Sequence, residues 1–113
     1  MTRRLLFLIR HQPGPTSRET LDVALVGGVF DQHVSMLFRE DGVQLLANQD
    51  TLFQEIDEAV RSLPDYGIEA VYVCEDGLKK TGLKPEQLIV PVIVITADEQ
   101  RQLLASQDMV LID

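Results

Sequence analysis

Leu5-Leu6-Phe7-Leu8-Ile9 is an unbroken apolar run, whereas a strand with one face in water alternates apolar and polar residues. A continuous run of this kind belongs to a strand covered on both faces, the mark of a parallel sheet sandwiched between helices. Val34 to Phe38, Ala70 to Cys74, Val92 to Ile95 and Met109 to Ile112 read as four further strands.

The segments between these strands carry helical signals. His11-Gln12-Pro13-Gly14-Pro15 is turn-rich, and Thr16 with Glu19 has the spacing of a capping box. Leu21, Leu25 and Val29 then share one helical face, with Val26 and Phe30 on an adjoining one. Gly27-Gly28 inside that stripe points to close packing or an early helix end. Asp41-Gly42 opens a short helix through Leu46. Leu52, Ile56, Ala59 or Val60 and Leu63 mark another, capped by Thr51 and Gln54 and stopped by Pro64 and Gly67. Asp76 to Thr81 reads as a short helix, with Lys79 and Lys80 suited to its negative end and Gly82 to a left-handed cap. Thr96 and Glu99 cap a last helix bearing Leu103 and Leu104.

Strand and helix alternate throughout, which predicts an α/β fold: one three-layer domain over residues 1–113, with a mainly parallel five-stranded sheet and helices on both faces. At 113 residues such a domain buries about two-thirds of its open-chain surface and needs no metal or disulfide staple. In such sheets, ligands collect at the carboxyl ends of strands. The loop after Ile9, the region after Phe38, and Cys74 are therefore the places to watch.

Ten basic residues against eighteen acidic ones give a net charge of −8. A chain so acidic is not expected to bind nucleic acid directly, because phosphate charge dominates that contact. Residues 1–18 hold Arg3, Arg4, Arg10 and Arg18 and no acid, while residues 40–76 hold ten acids and Arg61 as their one base. That acidic block reads as solvated helix surface or as a partner face. The single cysteine excludes an internal disulfide and a cysteine-rich zinc site. No apolar run is long enough to span a bilayer, and the apolar stretch near Met1 lacks the length and cleavage site of a signal peptide. The expected location is cytoplasmic, without membrane contact.

Neither a dinucleotide fingerprint nor a P-loop is present, so no cofactor is expected. The Pro13–Arg18 loop offers hydroxyls at a helix start, where an anion sits well, but it also reads as a plain connection. His11-Gln12 and Cys74 stand where a phospho-acceptor receiver domain needs acids. His11, Ser17 and Asp22 invite a hydrolase reading, yet no nucleophile elbow accompanies them; His11 and His33 read as turn residues. Two scattered histidines make no metal site. Glu55, Asp57 and Glu58 fall on a helix's outer face. Cys74 carries the chemical promise. It sits at a strand's carboxyl end before a helix, a place that favours a thiolate, while Glu75 and Asp76 oppose one. Its plain reading is a small buried hydrophobe.

Taken in order, several segments resemble the DsrE/DsrF-like sulfur-relay family, in particular its TusC (DsrF-like) branch. They are the first apolar strand, Pro13-Gly14-Pro15-Thr16-Ser17-Arg18-Glu19 with Leu21-Asp22, Phe30-Asp31, Leu37 to Leu46 with Gln49, Tyr66 to Glu69, Val71 to Cys74 with Leu78 and Gly82-Leu83, and Leu103-Leu104 before Gln107 to Ile112. The resemblance implies a DsrE/F-like domain with flavodoxin-like layering. It also implies a supporting subunit of a cytoplasmic heterohexamer, a dimer of trimers with TusB-like and TusD-like chains. That complex acts as a sulfurtransferase, passing persulfide sulfur toward a thiouridylase and 2-thiouridine at the tRNA wobble position. In TusD- or DsrE-like chains the sulfur-carrying cysteine lies where Cys74 lies here, whereas the TusC-like branch is the non-carrying partner. A persulfide carrier using Cys74, a DsrF-like subunit in dissimilatory sulfur oxidation, and a free-standing small-molecule binding module are the alternatives. Obligate partners also require an exposed apolar patch, for which Phe38, Val43 to Leu46 and Phe53 are candidates that read equally well as core.

Overall fold

The computed structural model describes residues 3–29, 32–49 and 53–113. Five strands, β1 (Arg4–Ile9), β2 (His33–Phe38), β3 (Ile68–Cys74), β4 (Ile93–Ile95) and β5 (Met109–Ile112), form one sheet in the order β4-β3-β2-β1-β5. Every neighbouring pair is parallel. The helices are α1 (Pro15–Val29), α2 (Gln54–Ser62), α3 (Glu75–Thr81) and α4 (Ala97–Ala105), with a 3-10 stretch at Glu40–Leu46. The expected α/β architecture is therefore the one observed.

Topology explains how the layers divide. From β1 to β4 each crossover steps the same way across the sheet, and right-handed crossovers then put their helices on one face. Leu21 and Ala24 of α1, Ile56 and Val60 of α2, and Leu78 of α3 accordingly share one core with Phe7, Ile9, Met36, Phe38, Val71 and Val73. The last crossover returns past β1 to β5, so its helix lands on the opposite face. There Leu103 and Leu104 of α4 pack on a smaller cluster of Leu6, Leu8, Leu37 and Ile95. The period-two alternation of β1 sorts its side chains between the two cores.

β5 is held at both ends by aspartates. The Asp108 carboxylate accepts the Arg4 N–H at 2.7 Å. The Asp113 carboxylate, its side chain fully buried, accepts the N–H groups of Arg10 and His11 at 3.1 and 3.3 Å.

Some expected local features differ. Helix α1 starts at Pro15, whose missing N–H and fixed φ suit the first helical position. Ser17, three residues beyond Gly14, accepts the Gly14 N–H at 3.0 Å. This displaces the Thr16–Glu19 capping box, and Thr16 accepts inside the helix from the Thr20 hydroxyl through its carbonyl. Val26 is exposed rather than on an apolar flank. Phe30, Asp31, Thr51 and Leu52 lie outside the described residues, as does the side chain of Val29. By contrast, Thr96 and Glu99 form a reciprocal capping box at 3.2 and 3.0 Å, and Gly82 closes α3 at φ 74°.

Phe38, Val43, Leu45 and Leu46 are fully buried and Phe53 packs against the larger core. Of the two readings open for them, partner patch or core, the structure has them in the core. Among the described residues the large exposed hydrophobics are Val23, Val26, Met109 and Ile112 near one sheet edge, and Tyr66, Ile93 and Val94 toward the other.

Two glycines test this packing with opposite signs. A Cβ at Gly42 would stand 2.1 Å from the Ile9 carbonyl oxygen, whereas one at Gly27 would make ordinary contact with Val34 at 3.5 Å. Gly42→Ala is expected to lose about 3 kcal/mol or more. Gly27→Ala is expected to be neutral or to gain up to about 1 kcal/mol from helix propensity. Urea unfolding midpoints of the two variants check both.

Candidate functional site at the end of strand three

Loops leaving adjacent strands in opposite directions open a crevice at the strands' carboxyl ends. Here that occurs between β3, which runs into α3 on one face, and β4, which runs into α4 on the other. Cys74 is the last residue of β3 and the N-cap of α3. It lines a cleft of about 260 Å³ there, with Arg39 and Glu40 beyond β2, Asp76, Gly77 and Lys80 of α3, and Ala97 and Gln100 of α4. The thiol residue is 7% exposed.

The cleft wall is built by close backbone approach. Gly77 lets α3 sit against the turn after β2, since a Cβ there would meet Val43 Cγ2 at 2.7 Å and the Glu40 nitrogen at 3.2 Å. Glu40 takes a left-handed φ of 51°, uncommon for a residue with a side chain. Its carboxylate pairs with Arg39 at 3.3 Å, and Lys80 reaches Asp41 at 3.3 Å. The charges around the thiol are therefore mixed and largely paired with one another. A larger and more polar hollow of about 470 Å³ adjoins the cleft across Lys80, between Gln44, Asn48, Gln49 and Thr81. Two of its amides are engaged already: Gln49 Nε2 donates to the Gln44 and Ala47 carbonyls, and Asn48 accepts from Arg61.

The remaining candidates are drawn apart. Ser17 is buried and spent on the α1 start, where its hydroxyl also donates to the Gly14 carbonyl at 3.0 Å. His11 turns instead to Asp113, with Nδ1 3.1 Å from Oδ1. Asp22 pairs with Arg18, which also binds Glu55. These carboxylates hold the Arg18 guanidinium above its ordinary range, Glu55 foremost. No Ser-His-Asp constellation results. In the Pro13–Arg18 loop the Gly14 N–H donates to Ser17 Oγ and the Arg18 N–H to the Gly14 carbonyl, both at 3.0 Å. His33 pairs with Glu69 across β2 and β3. Glu55 and Glu58 are exposed, as expected for an outer helix face. Among the described residues no group of three or more His, Cys, Asp or Glu side chains is placed to hold a metal.

Asp57 departs from that expectation. It turns inward, accepting from Arg61 Nε at 2.7 Å and from the Gln49 N–H at 3.1 Å. The Arg61 hydrogen bond, helped by Gln49, holds its carboxyl below the ordinary 3.8. A depressed folded-state pKa stabilises the fold above the unfolded value, and that stability disappears as pH falls through the folded one. Asp57→Asn is thus expected to lose about 1 kcal/mol at pH 7. Melting temperatures of variant and wild type should converge as the medium is acidified below pH 4.

Similarity to known proteins follows this architecture. Residues 3–112 match the model of the DsrE/DsrF-like family. The chain is 37% identical to a TusC homolog of Pseudomonas aeruginosa, with 98% of each chain covered. It is 36% identical to the intracellular sulfur oxidation protein DsrF of Allochromatium vinosum, over 79% of this chain and 70% of that one. Among solved structures, the ychN protein of E. coli has the same fold, with a TM-score of 0.74 at 19% identity and full coverage of both chains. The protein belongs to the DsrE/DsrF-like family.

Burial of Cys74 has a direct chemical consequence, because alkylation needs an accessible thiolate. Iodoacetamide should modify Cys74 in the folded chain at least about tenfold more slowly than in urea. Mass spectrometry of timed, quenched samples measures both rates.

Proposed function

We propose that this chain is a supporting subunit of a sulfur-relay complex in the cytoplasm, assembled with TusB-like and TusD-like chains as a dimer of trimers. The end-to-end likeness to TusC proteins carries this reading. Residues 1–113 serve in it as one DsrE/DsrF-like domain. The relay chemistry is thiol exchange. A thiolate attacks the outer sulfur of a donor persulfide, a new sulfur–sulfur bond forms, and the donor leaves as its own thiolate. Sulfur so passed ends in 2-thiouridine at the tRNA wobble position. The thiouridylase supplies the basic tRNA-binding surface that a chain of net charge −8 does not offer.

In this complex the carrier is the cysteine of the TusD-like partner. Burial of Cys74 and the acids Glu40 and Asp76 around its cleft support a non-carrying role, since a relay thiol must be reached by two successive partners. The competing assignment makes Cys74 the carrier, and the cleft beside it gives that version its footing. A second reading, a subunit acting in sulfur oxidation, is favoured by the match to DsrF of Allochromatium vinosum.

Deleting this chain from its host and restoring it as wild type or as Cys74→Ser separates the readings. Deletion should abolish 2-thiouridine in tRNA hydrolysates, and both restored forms should bring it back to the same level. Failure of Cys74→Ser with the complex still assembled, as judged by native mass spectrometry, transfers the carrier role to Cys74. Unchanged 2-thiouridine on deletion removes the tRNA reading and leaves sulfur oxidation.

A further inference from the structure

The polar hollow of about 470 Å³ beside the Cys74 cleft falls within the roughly 300–1,000 Å³ of small-molecule sites. One wall is the 3-10 stretch and the chain after it, from Asp41 and Gln44 to Gln49. The other is the end of α3, with Lys80, Thr81 and, just beyond, Leu83. Long-range bonds fix the first wall. The Ile89 N–H donates to the Leu46 carbonyl at 2.9 Å, and Asp57 and Arg61 of α2 hold Gln49 and Asn48 at 3.1 Å each.

These bonds use one end of each amide and leave the other. Gln49 spends Nε2 and keeps Oε1 as an acceptor, while Asn48 spends Oδ1 and keeps Nδ2 as a donor. The Gln44 carboxamide has no hydrogen-bond partner among the described residues. Charge of both signs is also at hand. Lys80 Nζ meets one Asp41 oxygen, Oδ1, at 3.3 Å, and the two side chains are 60% and 49% exposed. Two Lys80 N–H groups and the second Asp41 oxygen remain unspent. A ligand can add to this pair or part it at little cost, because so exposed a bridge contributes little to stability.

The free groups select the ligand's chemistry. An ammonium suits Asp41 and a carboxylate suits Lys80, with amide donors and acceptors for the peptide or carboxamide groups between them. Apolar lining is confined to Ala47 and Leu83, too little for a lipid or a large aromatic ring. A phosphate would find one lysine already shared with an aspartate, on a chain of net charge −8. Carboxamides also pair with nucleobase edges, but a base uses neither charge. We propose that this hollow is a binding site for a small zwitterion, an amino acid or short peptide with free ammonium and carboxylate groups. The site is independent of the relay reading.

Nuclear magnetic resonance of the nitrogen-15-labelled full chain tests it. The chain is titrated with alanylglutamine, with the same dipeptide acetylated and amidated at its ends, and with uridine. Alanylglutamine should shift the side-chain amide signals of Gln44, Asn48 and Gln49 saturably, with a dissociation constant of about 1 mM or tighter. Blocking both ends should weaken binding at least about tenfold. Gln44→Leu and Lys80→Met should each weaken it at least about fivefold. Both variants should melt within about 3 °C of wild type, since one side chain has no partner and the other is exposed. If one variant melts lower, the other and the blocked dipeptide still decide. Equal binding of the blocked dipeptide, or undiminished binding by the folded variants, overturns the proposal. Shifts with uridine alone give the hollow to a nucleobase and overturn it as well. Silence with all three ligands up to about 20 mM removes the site and leaves the relay reading untouched.

Discussion

A main-chain contact at Gly42 fixes the carboxyl edge of the sheet. The turn leaving β2 folds back over β1 so closely that position 42 has room for hydrogen alone beside the Ile9 carbonyl. The Arg39 N–H donates to that same carbonyl at 3.0 Å, so one oxygen anchors the start of the turn while Gly42 passes over it. The left-handed Glu40 lies between them. From there Val43 enters the larger core and Gly77 lets α3 close on the turn. The wall of the Cys74 cleft is thus set by two glycines and one strained residue, none of them chemically reactive. Backbone strain held by surrounding packing is common where a fold presents a functional surface.

The other wall comes from topology. Reversal of the strand order after β4 sends α4 to the face opposite α3, and the crevice between the two helices is what exposes the end of β3 at all. The same reversal leaves the second core small, because one helix covers that face where three cover the other. It also makes β5 the last strand, attached to β1 alone. Site and open edge are therefore two outcomes of one topological choice.

Much of this was legible in the sequence because it is local. Continuous apolar runs gave the strands, and the Thr96–Glu99 box and Gly82 mark helix ends whose determinants sit within four residues. The α1 start misled because two short-range signals overlap: Pro15 and Ser17 outcompete Thr16 and Glu19 for the same turn. Long-range partners left no such trace. Nothing near His11 announces Asp113, 102 residues away, and nothing near Cys74 announces Gln100. The choice between apolar patch and core was open for a related reason. Phe38 and Val43 to Leu46 look available in sequence, but the fold-back at Gly42 buries them. Val26 of α1, which reads as core flank, stands outside because the helix already fills its inner face with Leu21 and Ala24.

Charge gives the last step of synthesis. The acids crowded between residues 40 and 76 do not form one face. Asp41 is bound to Lys80, Asp57 to Arg61, Glu55 to Arg18 and Glu69 to His33, so the block is dispersed over several elements and partly compensated. Exposed pairs of this kind contribute little to stability, but they decide where uncompensated charge remains. Beside Cys74 the cations present, Arg39 and Lys80, are committed to Glu40 and Asp41. A thiol meant to receive sulfur is served by free positive charge, which stabilises a thiolate. Here the local cations hold the turn in place instead. The local charges of the cleft thus serve the architecture of the turn that walls it.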